Sequence, residues 1–595
     1  MFKQWDDFLK EHRGLCGAFL FLLAFMVFRG TMANGFVFDD SPLIVENPFI
    51  LNPHFWKHIF TGDAWAFQGG HASFFYRPLQ LSIYWLIYRL AGANPAPFHL
   101  VSLALYAASG WLVYRLGREL LKSELAAVIG ASLWLVHPLH VEPVAWISAL
   151  ADLGAGFFCL LAFLVFLNAE VSRRGRFAKH ILGAFIFLIA LLFKEMALSF
   201  PLMLLVFWFF FPGAAQGGKW KEKAGHWCVY ATAACVYVLI RYAVLGRLTA
   251  LARPWKVSPG VFAAGLGLLG QHAKLFWLPI HLDAFRSFDL NSSFHSPWAW
   301  LTLAVLLVAV GLGRHEPRLG FLLAWWGVAL LPVLDIRQLS FPQVADRFSY
   351  LPSVGLCLAI AYLCCVRLPQ TRGMRSALVA LAPPAFLFCF WTLKSIQGIP
   401  AWCNNETWTL RTSEQSPNSV VLHLRLAENL LFKEGNDKAA LREYETARRL
   451  NQASSWPMAG FGYAYNNGLG RIALRQGRTD EAIVFFEKAV RVAPQFTEAY
   501  DLLGSTFFTR RDFAQAAGYF QHAVNANPYD LNAHFYLGTC WMKLGKFREA
   551  AGQFNAARTV DPAYIQAFFA EAGALEAAGD PASAAKVRSL AENAR

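Results

Sequence analysis

Apolar residues run in long blocks through the first two thirds of the chain and in short periodic groups through the last third. A helix crosses a bilayer with about 20 mostly apolar residues, and about 17 suffice where the bilayer is thin. Blocks of this kind occupy residues 14–31, 98–117, 124–136, 142–168, 179–193, 196–212, 226–245, 298–313, 319–334, 349–366 and 376–393. The pattern predicts an all-α, polytopic membrane bundle of about eleven spans. The first block follows Lys3, Lys10 and Arg13, as a signal peptide core would. No small-x-small cleavage site follows before Asn34-Gly35, so a retained helix is expected. Residues 77–92 are short, aromatic and flanked by Arg77 and Arg89, which suits a helix lying in the interface. Residues 260–280 carry Gln271, His272 and Lys274 in mid-run, which suits a surface-lying or re-entrant segment.

From about residue 417 the pattern becomes a repeat. Pro494, Pro528 and Pro562 recur every 34 residues, as do Gly470, Gly504 and Gly538. Between them fall Ala482, Ala516 and Ala550 and the rings Phe486, Phe520 and Phe554. This is the tetratricopeptide period, in which small residues let two antiparallel helices approach and rings fill the gap. A weaker unit surrounds Ala427, Ala440, Tyr444 and Ala447, and a cap-like one surrounds Ala572 and Ala584. The expected domains are residues 1–400, membrane-embedded, and 401–595, an α-solenoid on the outer side that binds rather than catalyses.

Composition agrees with a membrane protein, since only 15% of residues are charged against about 25% in soluble domains. The net charge of +14 would suggest nucleic acid if it were spread evenly. It is not. The repeat half holds 21 basic and 20 acidic residues, so the membrane half carries nearly all of the excess. With the N-terminus inside, 18 of its basic residues fall on inner segments, among them Arg173, Arg174, Arg176, Lys179, Lys219, Arg314 and Arg372. The charge is a topology signal, and no nucleic-acid partner is expected. The ten cysteines show no metal-ligand spacing, and Cys364-Cys365 reads as packing.

Polar residues on the outer side need another reason. Asp39 and Asp40 follow the first span within a few residues, where paired carboxylates can hold a proton, a divalent cation (Mg or Mn) or an acceptor hydroxyl. A turn before Pro42 is the structural alternative. HPLHVEPVAW places His137, His140 and Glu142 on a tight turn, suited to hydrogen bonds with a phosphate or sugar. Asp152 falls about three turns into the following block and requires a wet cavity or a cation. Lys194-Glu195, Arg241 and Asp346-Arg347 put cations where the topology rule does not, so a lipid phosphate is a fitting partner. Snorkelling, or pairing with Glu195 or Asp346, is the alternative.

These residues carry a family pattern. FVFDDSPLIVENP, YRPL followed by FHLVSLALY, LWLVHPLHVEPVAWISALADL, FKEMAL and ADRFSYLPS, ahead of the repeats, resemble the transmembrane and tetratricopeptide repeat-containing O-mannosyltransferases and their bacterial relatives. These are GT-C-type membrane glycosyltransferases. The resemblance implies an essential acid in the first outer loop, falling on Asp39-Asp40, and a polyprenyl-phosphate-linked sugar, mannose, as donor. It places the family's phosphate-side cations on Arg347 and Lys194. Relatives usually show arginine at the position of Leu150, asparagine at Ser102 and glutamate at Asp346. The expected activity is inverting sugar transfer to hydroxyls of a secreted or periplasmic protein presented by the repeats. Asp39 would act as base, Asp40 would orient it or bind a metal, and Arg347, Lys194 and Arg241 would hold the phosphate. Arg77, His137, His140, Glu142, Asp152, Glu195 and Asp346 complete the expected donor and acceptor pocket. A bacterial inner membrane, with site and repeats facing the periplasm, is the expected location. The competing reading is a non-catalytic membrane scaffold whose repeats assemble an envelope complex.

Overall fold

The computed structural model describes residues 2–593 except 70–72, 74, 173, 214–219, 247–258, 284, 287–293, 314, 335–343, 369–373, 455, 456 and 459. Arg173, Lys219, Arg314 and Arg372, counted above among inner basic residues, lie outside the described residues. The described chain is all-α, with one isolated antiparallel bridge between Arg286 and Val344. It divides into two compact units, one of residues 1–40 and 94–417, the other of 41–93 and 418–595.

In the first unit six described helices are long and apolar enough to cross a membrane: Arg13–Ala33, Pro95–Leu121, Ile147–Val171, Arg176–Phe193, Lys221–Leu245 and Val379–Trp402. The pair Glu124–Leu135 and Pro138–Ala145, bent by 56°, makes a seventh if counted as one span. The expected eleven is therefore corrected to six or seven. Four of the expected blocks form helices of only 10–17 residues: Glu195–Phe210, Pro297–Gly311, Pro317–Val333 and Ser353–Arg367. Hydropathy counts apolar residues in turns as well as in helices. Residues 349–366, for example, include the end of a 3₁₀ turn at Asp346–Ser349, so the α-helix there begins only at Ser353.

Local chemistry sets the ends of these helices. Asn94 caps Pro95–Leu121 by accepting from Ala96 N, with proline at N1, and Lys122 ends it in the left-handed conformation. The expected block 142–168 is interrupted at Trp146, and the long α-helix starts at Leu150. Asp152 thus lies in a first helical turn, where a carboxylate suits the helix dipole, rather than three turns in. A Cβ on Gly355 would sit 2.3 Å from the carbonyl oxygen of Leu322, so only glycine admits that backbone approach. Glu124, buried, accepts from Arg13 Nε and Arg118 Nε at 2.8 Å and from Tyr114 OH at 2.7 Å. These bonds tie three helices at one end. The helix Pro259–Trp277 is not among the six; it packs Ala264, Leu268 and Leu275 against Leu139 and Val344.

The second unit holds five helix pairs, from Val420–Phe432 with Asp437–Ala453 to Ile565–Ala577 with Pro581–Asn593. The 34-residue period has a steric origin. A Cβ at Gly470, Gly504 or Gly538 would lie 2.3, 2.8 or 2.8 Å from the ring of Phe486, Phe520 or Phe554. Residues 41–93 pack in this unit as well. Phe49, Phe55 and His58 surround the ring of Tyr529 at 5.0, 5.5 and 5.9 Å, and Asn52 donates to the carbonyl of Thr559. Pro78–Ala91 is a 14-residue helix with Leu86 and Leu90 exposed.

Gly504→Ala is expected to lower the stability of the repeats by about 1–3 kcal/mol, because the added methyl overpacks Phe520. Gly552→Ala, whose Cβ meets nothing within 4 Å, should be neutral or stabilise by up to about 1 kcal/mol. Denaturant titration of the full chain, followed by circular dichroism, compares the two.

Candidate functional site

The acidic pair sits on a turn held under backbone strain. Phe38 adopts φ +54°, a left-handed conformation unusual for a bulky residue. Its ring is fixed among Trp408, Phe285 and Trp146 at 5.0, 5.1 and 6.1 Å, and its N–H donates to Asn405 Oδ1 at 2.6 Å. Trp146 Nε1 donates to the carbonyl of Val37 at 3.2 Å. Asp40 is fully buried. Its Oδ2 accepts from Val37 N at 2.9 Å, and its Oδ1 accepts from Ser148 N at 2.7 Å and Ser148 Oγ at 2.5 Å. Burial pushes its carboxyl up to about 7, against the lowering pull of the Ser148 and Val37 hydrogen bonds. Asp39 next to it is half-buried. Environment has separated the two carboxylates, one buried and one half-buried.

The turn 137–142 serves a different end from the one expected. His137 Nδ1 accepts from Leu139 N at 3.2 Å and its Nε2 lies 3.2 Å from the carbonyl of Phe276. His140 has Nδ1 3.0 Å from Tyr106 OH and Nε2 3.0 Å from Ser353 Oγ. Both rings are fully buried with both nitrogens engaged by protein groups. They brace the bend that breaks this span. Glu142, on the same turn, pairs with Arg347.

The cations are paired across helices rather than with their neighbours in sequence. Lys194 Nζ lies 2.7 Å from both oxygens of Asp152. Arg347 donates its backbone N–H to Glu142 Oε2 at 2.9 Å and its Nη1 to Oε1. Asp346 pairs instead with Arg286 and accepts from Asp283 N at 3.0 Å. Burial pushes the Asp346 carboxyl up, with Arg286 pulling against it and Glu142 and Asp283 adding to it. Arg241 Nη1 lies 4.0 Å from Glu195 Oε2 and donates to Tyr237 OH at 3.3 Å. Of the local pairings weighed from sequence, with Glu195 or Asp346, Arg241 forms one with Glu195, while Asp346 pairs with Arg286.

Two cavities border this network. One is lined by Asp152, Lys194, Arg347, Phe348 and Tyr350. The other is lined by Glu142, Asp283, Asp346, Trp408 and Arg411. The Glu142–Arg347 pair thus has one member in the lining of each. Arg347 also lies 5.1 Å from the Trp146 ring and 5.0 Å from that of Phe348. Arg77 belongs to the other compact unit, where its guanidinium lies 4.3 Å over the ring of Phe75. Sequence reasoning missed Asp283, Arg286 and Ser148. Arg286 was findable, because it too is a cation away from the inner basic clusters; Ser148 was not, since its role exists only against Asp40. A divalent cation on Asp39-Asp40 was one of the alternatives open from sequence, and a group of ligand atoms that could hold one lies elsewhere. Among the described residues, the group of His, Cys, Asp and Glu close enough to share an ion is Glu170, His180 and His226.

Residues 429–495 match the tetratricopeptide repeat family model, and residues 475–557 match the model described as anaphase-promoting complex, cyclosome, subunit 3. Protein O-mannosyl-transferase Tmtc1 of Drosophila melanogaster is 32% identical over 194 residues, covering 32% of this chain and 22% of that protein. Protein O-mannosyl-transferase TMTC4 of Homo sapiens is 24% identical over 486 residues, covering 71% of this chain and 64% of that one. The chain thus spans less than two thirds of the length of these relatives. Among solved structures, MamA is 20% identical and covers 29% of this chain and 91% of its own, with a TM-score of 0.25. The chain has a family-level resemblance to proteins that join an O-mannosyltransferase-like membrane region to tetratricopeptide repeats.

Proposed function

We propose that the chain is an inverting membrane glycosyltransferase that moves one sugar, mannose by family resemblance, from a polyprenyl phosphate to a hydroxyl of an acceptor protein. The observation that carries this reading is the cavity lined by Lys194 and Arg347, two cations each held by a carboxylate from another element. The strained turn that sets Asp39 apart from the buried Asp40 supports it.

In the proposed reaction the Asp39 carboxylate takes the proton of the acceptor hydroxyl as that oxygen attacks the anomeric carbon. The bond from that carbon to the phosphate oxygen breaks, and the phosphate leaves with the electron pair. Arg347 and Lys194 meet the charge that grows on it. A guanidinium has five N–H donors, so Arg347 can bind a phosphate while Glu142 holds it in place. One displacement by one base inverts the anomeric centre, by analogy with inverting glycoside chemistry. Asp40, Glu142 and Asp152 act as positioning residues. With the bent pair counted as one span, seven crossings from an inner N-terminus end on the outer side. The positive-inside pattern supports that side for the repeats, periplasmic in a bacterium, where they would present the acceptor polypeptide.

Asp39→Asn is expected to lower transfer from polyprenyl-phosphate mannose to an acceptor protein by about 10²–10⁴-fold without shifting the thermal midpoint. Full activity in that folded variant would remove Asp39 as the base. Mass spectrometry of exported proteins with and without the gene separates this reading from a scaffold, which would leave glycosylation unchanged.

The acid limb of the rate provides a second check. Asp40 accepts three donors as an anion, and protonation below about 7 weakens that hold on the turn. Transfer by the wild type is therefore expected to fall as pH drops through 7. Ser148→Ala removes a hydrogen bond that lowers the Asp40 pKa, so its acid limb should move to higher pH in a pH–rate profile.

A further inference from the structure

Glu170, His180 and His226 come from three different helices, Leu150–Val171, Arg176–Phe193 and Trp220–Leu245. One ligand atom from each lies within 4.8 Å of the other two. His180 Nε2 and Glu170 Oε1 are 3.4 Å apart. That is longer than a charge-assisted hydrogen bond, about 2.7–2.9 Å. It matches the edge of a tetrahedron with bonds of about 2.0–2.1 Å, whose ligand atoms stand roughly 3.3 Å apart. Both atoms are buried, and beyond this long mutual contact neither has a hydrogen-bond partner. The spacing lets a cation replace that contact and bind both atoms.

The outer atoms of the same groups are directed. Glu170 Oε2 accepts from Trp208 Nε1 at 2.9 Å, and His180 Nδ1 lies 3.4 Å from Tyr230 OH. This is how the groups behind metal ligands set the tautomer and aim the free nitrogen. The rings of His180 and His226 stack at 4.0 Å and 23°, which holds the two side chains side by side. His226 is half-buried and opens the site on one side. Arg176, the nearby cation, donates to the carbonyls of Ala169 and Glu170 at 3.2 and 3.1 Å, and Glu222 lies one turn before His226 on its helix.

We propose that Glu170, His180 and His226 form a site for a first-row divalent cation, zinc by ligand type, with a fourth position open to water. The site is separate from Asp39-Asp40 and does not depend on the proposed transferase activity. Its effect would be mechanical. Lys221–Leu245 has only 17% of its most apolar stretch buried, the least of the six long apolar helices. A metal bond to His226 would fasten this loosely packed helix to the two that carry Asp152 and Lys194.

The test is zinc binding by the full chain in detergent, measured by equilibrium dialysis with elemental analysis. About one zinc per wild-type chain is expected. His180→Ala should weaken binding at least about tenfold. His226→Asn, at a half-exposed position that folding tolerates, should do the same, while Asp39→Asn should retain full binding. With cobalt in place of zinc, the visible absorption of a tetrahedral site should appear in wild type and vanish in His226→Asn. No zinc uptake by the wild type, or uptake unchanged in a folded His226→Asn protein, would overturn the proposal.

Discussion

A charge surrounded by hydrocarbon and aromatic rings must be paired, and this requirement shapes the membrane unit more than any other. Lys194 with Asp152, Arg347 with Glu142, and Arg286 with Asp346 each join residues distant in sequence. The partners have to be brought together by helix breaks. Glu142 is available because the chain bends near Pro138, and Asp152 because a helix begins at Leu150. Removing one member of such a pair would strand the other, which is far costlier than losing a surface salt bridge.

The same constraint separates residues that look alike. Asp40 is committed to Val37 and Ser148, and this holds the turn in which Phe38 accepts a left-handed backbone. The strain at Phe38 is offset by the aromatic cluster around its ring and by the bonds on both sides of it. The buried carboxylate therefore works as a fixture, while the one beside it is half-buried. His137 and His140 repeat the lesson, since their polar atoms are consumed in bracing a bend.

In the repeat unit, glycine and phenylalanine alternate in space because each ring occupies the volume that a side chain would need. The segment 41–93 is fastened there too, through Tyr529 and Thr559, so the residues that follow the acidic pair belong with the repeats rather than with the membrane helices. The chain passes from one unit to the other at Asp40–Ser41, Ala93–Asn94 and Pro417–Asn418.

Sequence by itself determined what depends on periodicity and bulk composition. The membrane-embedded helices, the tetratricopeptide array and the candidate charges Asp39, Glu142, Asp152, Lys194 and Arg347 were legible because hydropathy, a 34-residue period and misplaced cations are linear signals. The tertiary structure decided what depends on distance between remote segments. It reduced the long spans from eleven to six or seven, gave Lys194 and Arg347 the remote partners Asp152 and Glu142, turned two histidines into braces and assigned different surroundings to Asp39 and Asp40. It also brought together Glu170, His180 and His226, which no spacing marks as a set. Hydrogen bonding and desolvation act over a few ångströms, and only the packed chain says which residues are that close.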